Sequence, residues 1–124
     1  MIAIDTSSLI AYLSGEKGPD VEAVDQALDQ KQAVLPPVVF SEILSDPKLP
    51  KSVRDLIGEV PPLIITDGYW ERAGLLRSKL VFRKLKAPLA DTLIAQSCID
   101  YGVLLITRDN DFRHFTGMGL KLFE

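Results

Sequence analysis

The chain opens on a short apolar run, Ile2-Ala3-Ile4, with no polar alternation. Such a run predicts a strand covered on both faces. Asp5 follows at once. Thr6, Ser7 and Ser8 come next, each able to cap a helix, and then Leu9, Ile10 and Leu13 at helical spacing. The pattern predicts a helix over 7–13, with a carboxylate at the junction. A loop, Gly15-Glu16-Lys17-Gly18, leads to Pro19, which suits the first turn of a second helix running to about residue 30. Its buried stripe is expected to carry Val21, Val24 and Leu28, and its acids read as a solvated face. Residues 33–35 predict a second short strand, stopped by Pro36-Pro37.

Residues 38–44 predict a helix in which Glu42 is the only charged residue. Asp46-Pro47 breaks it, and a short helix over 51–57 is expected to end at Gly58. Residues 63–66 predict a third strand. Asp67 is the expected cap of the next helix, whose stripe of Trp70, Ala73, Leu76 and Leu80 assigns Trp70 to the core rather than to base stacking. After the connector 85–88 a further helix places Ala90, Ile94, Ser97, Cys98 and Tyr101 inward and ends at Gly102. Residues 103–107 predict a strand, and Asp109 follows it as Asp5 follows the first. Asp109 or Asn110 caps a short helix through Phe115, and 121–123 predict a last edge strand. This alternation predicts an α/β sandwich with a mainly parallel sheet.

Composition narrows the classes. A chain of 124 residues fits one domain, 1–124, able to bury roughly two-thirds of its unfolded surface. At 47% hydrophobic and 25% charged it is not a disordered chain. No run approaches the roughly 18 apolar residues of a membrane span, and no signal stretch is seen, so no membrane partner is expected. The single Cys98 excludes an internal disulfide and fits a reducing, cytoplasmic setting. The single His114 excludes RNA cleavage by a histidine pair. The net charge of −3 hides a division: residues 71–86 hold six cations against one acid, while 16–29 hold five acids against one cation. The cations, Arg83, Lys84 and Lys86 among them, either solvate a helix face or form a phosphate-facing surface.

Four acids stand out. Asp5 and Asp109 both follow buried strands and are expected at one edge of the sheet, where open α/β sheets place ligands. Asp91 lies in the first turn of its helix, where the helix dipole alone would account for it. Glu42 is either a partly exposed or Arg-paired residue, or a metal ligand. Carboxylates converging at that edge would repel, so either some take up protons or a cation is bound. With oxygen ligands only, the cation would be Mg²⁺ or Mn²⁺, able to activate a water and bridge phosphate oxygens. Ser7 and Thr107 are placed to hydrogen-bond a carboxylate or a bound water, or to act as local caps. For Asp111 the expectation is capping or exposure.

The sequence resembles PIN-domain proteins, and more narrowly the VapC-type toxin ribonucleases of toxin–antitoxin pairs. The resemblance rests on Ile4-Asp5-Thr6-Ser7, on Glu42 in Val39-Phe40-Ser41-Glu42-Ile43-Leu44, on Asp91 in Leu89-Ala90-Asp91-Thr92-Leu93-Ile94-Ala95, and on Thr107-Arg108-Asp109-Asn110-Asp111-Phe112. It implies a three-layer α/β/α fold and Mg²⁺- or Mn²⁺-dependent endoribonuclease activity on RNA. It also implies a homodimer held inactive by a cognate antitoxin. Asp5, Glu42, Asp91 and Asp109 match the family's acidic set, and Thr107 a polar companion. The departure is the compact, proline-rich stretch 46–62, where relatives often carry a longer helical hairpin. A haloacid-dehalogenase-type phosphotransferase would want an Asp at the position of Ser7, and a dinucleotide-binding turn would want glycine between Asp5 and Leu9. The rival from another class is a PIN-like module that binds RNA or protein without cutting.

Overall fold

The apolar amino-terminal run forms an interior strand, β1 (Ile2–Ile4), paired on both sides, which is why it has no polar face. The computed structural model describes residues 1–124. Helices α1 (Thr6–Leu13) and α2 (Pro19–Asp29) lead to β2 (Ala33–Val34). Four helices follow: α3 (Pro37–Leu44), α4 (Lys51–Glu59), α5 (Tyr69–Phe82) and α6 (Leu89–Tyr101). They lead to β3 (Leu104–Ile106), and a 3₁₀ helix, Asn110–Met118, precedes β4 (Lys121–Leu122). All pairings are parallel and the strand order is β2-β1-β3-β4.

From β1 the chain steps to β2 on one side; it then crosses back over β1 to β3 and continues to β4. Right-handed crossovers therefore place α2 on one face and α5, α6 and the 3₁₀ helix on the other, giving three α/β/α layers. A core of 26 buried residues fills both interfaces, anchored by Ile4, Leu9, Leu35, Ile94, Leu105, Phe112 and Phe115. The register Ile4↔Ile106 sets the ends of β1 and β3 side by side. The connections diverge at this point, which opens a crevice beyond the strand ends.

Several local expectations are corrected. Residues 63–66 are not a strand. Only Leu35 bridges Pro62. Pro61 and Pro62 have no N–H with which to extend the ladder, and Ile64 is 72% exposed. The core position at the start of α5 belongs to Tyr69, not Trp70, which is 60% exposed. Both residues fit the stripe through Ala73, Leu76 and Leu80. Tyr69 prevails because its hydroxyl donates to the Leu93 carbonyl (2.7 Å) and accepts from Ser97 Oγ (3.2 Å). The cap of α5 is Gly68 at φ +80°, rather than Asp67. A Cβ there would be strained and would lie 2.8 Å from the Arg72 guanidinium. Gly58 lies inside α4, and α1 begins at Thr6 with Asp5 at its N-cap. On α2 the buried residues are Ala23, Val24 and Ala27, with Val21 and Leu28 half-buried. Tyr101 lies outward, its hydroxyl donating to the Ile64 carbonyl (2.6 Å).

Candidate functional site

Asp5 stands one residue beyond β1, and its backbone N–H still donates to the Ile106 carbonyl (2.9 Å). Its carboxylate is buried. Oδ2 accepts from Ser7 Oγ (2.6 Å) and from Thr107 Oγ1 (2.7 Å), so both predicted polar companions converge on one oxygen. Burial pushes the Asp5 pKa up, against the pull of these hydroxyls and of the Thr6 and Ser7 backbone. Thr107 also accepts from the Asp109 N–H (3.0 Å), tying the segment after β3 to the end of β1. Asp109 is the N-cap of the 3₁₀ helix, its Oδ1 accepting from the Asp111 N–H (2.9 Å).

Glu42 is exposed on α3, so it needs no burial compensation; its Oε1 accepts from Thr6 Oγ1 (2.7 Å). Thr6 was missed in the sequence. Its only signal there is adjacency to Asp5, since the bond spans 36 residues. Asp91, half-buried in the first turn of α6, accepts no side-chain hydrogen bond. Its pKa is pushed up to about 6, first by burial and then by the charges of Asp109, Asp5, Glu42 and Asp111. The four acids, drawn from β1, α3, α6 and the β3 exit, therefore share one electrostatic neighbourhood. Asp111, set aside in the sequence, belongs to it too.

Charges around the site are less free than the sequence suggested. Lys86 pairs with Asp111 (3.1 Å) and also faces Asp109 and Asp91, which raises its pKa. Arg72 is bound to Asp100 (2.7 Å), and Arg77 donates to the Ala87 carbonyl (2.8 Å). Lys79, Arg83 and Lys84 alone in the basic stretch have neither ion pair nor hydrogen bond. Asp20 is not a solvated bystander. Arg108 grips both of its oxygens (2.8 and 3.0 Å), Ser8 adds a third bond (2.8 Å), and the guanidinium holds its pKa below the usual carboxylate range.

The donor set fits a hard divalent cation in chemistry: all oxygen, excess negative charge, and one carboxyl whose pKa is raised by burial and then by its neighbours. No three of the acids are drawn up as a closed ligating group. Asp5, Glu42 and Asp109 are each turned onto donors of the chain itself. The largest cavity, about 400 Å³, lies beside the start of β2 between Leu28, Leu56 and Val60, away from all of these acids.

A four-stranded parallel sheet with helices on both faces and a switch point between β1 and β3 defines an α/β protein of the three-layer kind. The chain belongs to the PIN domain family, whose model matches residues 2–117. Ribonuclease VapC4 of Mycobacterium tuberculosis is 36% identical to it over 61 residues, 49% of this chain and 47% of that protein. The match thus spans about half the length of this curated relative. Three solved structures share the fold. VapBC-1 from nontypeable Haemophilus influenzae has a TM-score of 0.75 and 19% identity, covering 100% of this chain and 98% of its own. FitAcB from Neisseria gonorrhoeae has a TM-score of 0.72 and 18% identity, covering 100% and 97%. VapBC2 from Rickettsia felis, bound to a DNA fragment from its promoter, has a TM-score of 0.71 and 19% identity, covering 99% and 98%. No helix is long and apolar enough to cross a membrane.

Proposed function

We propose that the chain is a Mg²⁺- or Mn²⁺-dependent endoribonuclease that cuts single-stranded RNA. The observation that carries this reading is the raised pKa of Asp91, produced partly by three other acids from distant parts of the chain. In this reading Asp5, Glu42, Asp91 and Asp109 hold the cation, while Ser7 and Thr107 orient Asp5 through the bonds on its Oδ2. The cation, when bound, supplies charge neutralisation at the phosphate and lowers the pKa of a water. Arg83, Lys84 and Lys86 line the approach of the RNA backbone. Lys86 does so only in exchange for its bond to Asp111.

A cytoplasmic toxin of a toxin–antitoxin pair, homodimeric and restrained by its antitoxin, is the setting we infer. The relative called a ribonuclease and the VapBC neighbours support it. The deciding experiment uses a single-stranded oligoribonucleotide with Mn²⁺ or with EDTA. Cleavage is expected with Mn²⁺ and none in EDTA, and Asp5→Asn is expected to abolish it with an unchanged circular dichroism spectrum. Undiminished cleavage by Asp5→Asn removes Asp5 from the mechanism. Binding that survives in EDTA, with no cleavage under any metal, selects the non-cutting module instead.

A further inference from the structure

The basic stretch ends in a feature that charge alone does not explain. Phe82, the last residue of α5, is 87% exposed, the most exposed large apolar side chain of the protein. It shares a shallow groove with Ser78, Lys79 and Arg83, and Lys84 follows at φ +61°, turning the chain back toward Lys86. Within the basic stretch, Lys79, Arg83 and Lys84 are the cations whose side chains have neither an acidic partner nor a hydrogen bond. Lys86, four residues on, touches Asp111 and faces Asp91 and Asp109. Four residues span at most about 14 Å between the Cα atoms of Phe82 and Lys86, and the Lys86 side chain covers the further step to Asp111.

Resting on the nuclease reading above, the geometry points to Phe82 as a stacking platform for an unpaired base of the RNA that flanks the bond that is cut. An exposed ring costs solvation wherever it stands, and a ring bracketed by unpaired cations suits one ligand chemistry best: a polyanion with flat apolar faces. The Trp70 ring is also exposed, yet it packs edge-on against Tyr69 (5.1 Å between centroids), and the cation nearest it in sequence, Arg72, is taken up by Asp100. Trp70 thus has no free cation beside it to hold a phosphate, whereas Phe82 has three. The cations hold the backbone while the ring holds the base, and their energies respond differently to salt.

The test compares Phe82→Ala, Phe82→Leu and Phe82→Trp with the wild type. The probe is a single-stranded oligoribonucleotide of about ten nucleotides carrying a fluorescent adenine analogue quenched by stacking. Binding is read in EDTA, and KM and kcat in Mn²⁺. Alanine and leucine are each expected to raise Kd and KM about fivefold to a hundredfold, to relieve the quenching, and to leave kcat and the salt slope unchanged. Tryptophan is expected to stay within about twofold of the wild type. Three results overturn the inference while leaving the nuclease reading intact. One is wild-type KM in Phe82→Ala. Another is full retention by Phe82→Leu, which would make the patch merely apolar. The third is a change of oligomeric state in Phe82→Ala, which would assign the ring to a protein interface. A wild-type protein that neither binds nor cuts RNA refutes both.

Discussion

Replacing Asp91 by Asn should stabilise the metal-free protein. Asp91 is half-buried, accepts no side-chain hydrogen bond, and sits among Asp109, Asp5, Glu42 and Asp111, which with burial raise its pKa from 3.8 to about 6. Roughly two pKa units at about 1.4 kcal/mol each put the cost of the folded anion near ~3 kcal/mol. Solvent at the rim of the crevice screens this to about 1–2 kcal/mol. For a chain of this length that corresponds to a rise in Tm of about 3–8 °C. The sign follows from the direction of the shift. Below the unfolded value both states hold the proton and Asp91 costs nothing; as pH climbs from 3.8 to about 6 the unfolded chain ionises first and the folded state loses ground. The advantage of Asp91→Asn in EDTA is therefore absent well below pH 4 and full above pH 6. Thermal unfolding followed by circular dichroism across that range reads it directly. Adding Mn²⁺ should raise the wild type by the linkage of binding to folding and raise Asp91→Asn less, narrowing or reversing the gap. A lower Tm for Asp91→Asn in EDTA would show that these acids do not repel, and the metal-site reading would fall with that result.

Three further outcomes are expected. Replacing Arg83, Lys84 and Lys86 together by Ala should weaken RNA binding and lower the slope of log Kd against log salt by about 2–3; an unchanged slope would assign these cations to solubility or a protein contact. Asp20→Asn should lower Tm by a few degrees at neutral pH. Because the folded pKa of Asp20 is depressed by Arg108, that stabilisation is present above the ordinary carboxylate value and is lost as pH falls through the depressed one, so the two melting curves should converge in acid. A gap that persists at low pH would make the loss one of shape, not charge. Finally, Mn²⁺ affinity measured by calorimetry should fall as pH drops through about 6 with proton release on binding, since Asp91 must give up its proton to serve as a ligand.

Asp5 and Asp109 could be placed from the sequence because each follows an uninterrupted apolar strand, and parallel strands deliver their ends to one edge. Glu42 and Asp91 could be suspected but not located; their meeting depends on how α3 and α6 dock, which no local pattern encodes. Which cations of the basic stretch are paired was hidden for the same reason. Asp100 and Asp111, which neutralise Arg72 and Lys86, lie 28 and 25 residues further along the chain. Trp70 and Tyr69 satisfied the same helical stripe, and a hydroxyl finding the Leu93 carbonyl decided between them. Residues 63–66 had strand composition but lay after two prolines beside the two-residue edge strand β2, where no ladder was available to join.

The uneven treatment of the acids is itself imposed by packing. Three are answered by donors of the chain: Asp5 by two hydroxyls, Glu42 by Thr6, Asp109 by the Asp111 N–H. Asp91 accepts no side-chain hydrogen bond, and only the amino-terminal dipole of α6 and the charge of Lys86 ease it. It cannot swing away by shifting that helix. Tyr69 of α5 bonds Leu93 and Ser97 of α6 in the interior, and Arg72 of α5 clamps Asp100 near the carboxyl end of α6. A helix moored at its middle and far end holds its first turn against the other carboxylates whether or not they repel. The cost shows in the Asp91 pKa, raised first by burial and then by those charges, and a positive ligand beside the carboxyl would lower it. Loosening that mooring by Tyr69→Phe should let Asp91 move outward and bring its pKa back toward the ordinary value; an NMR titration that finds the Asp91 carboxyl unchanged in this variant would show that the mooring does not set it.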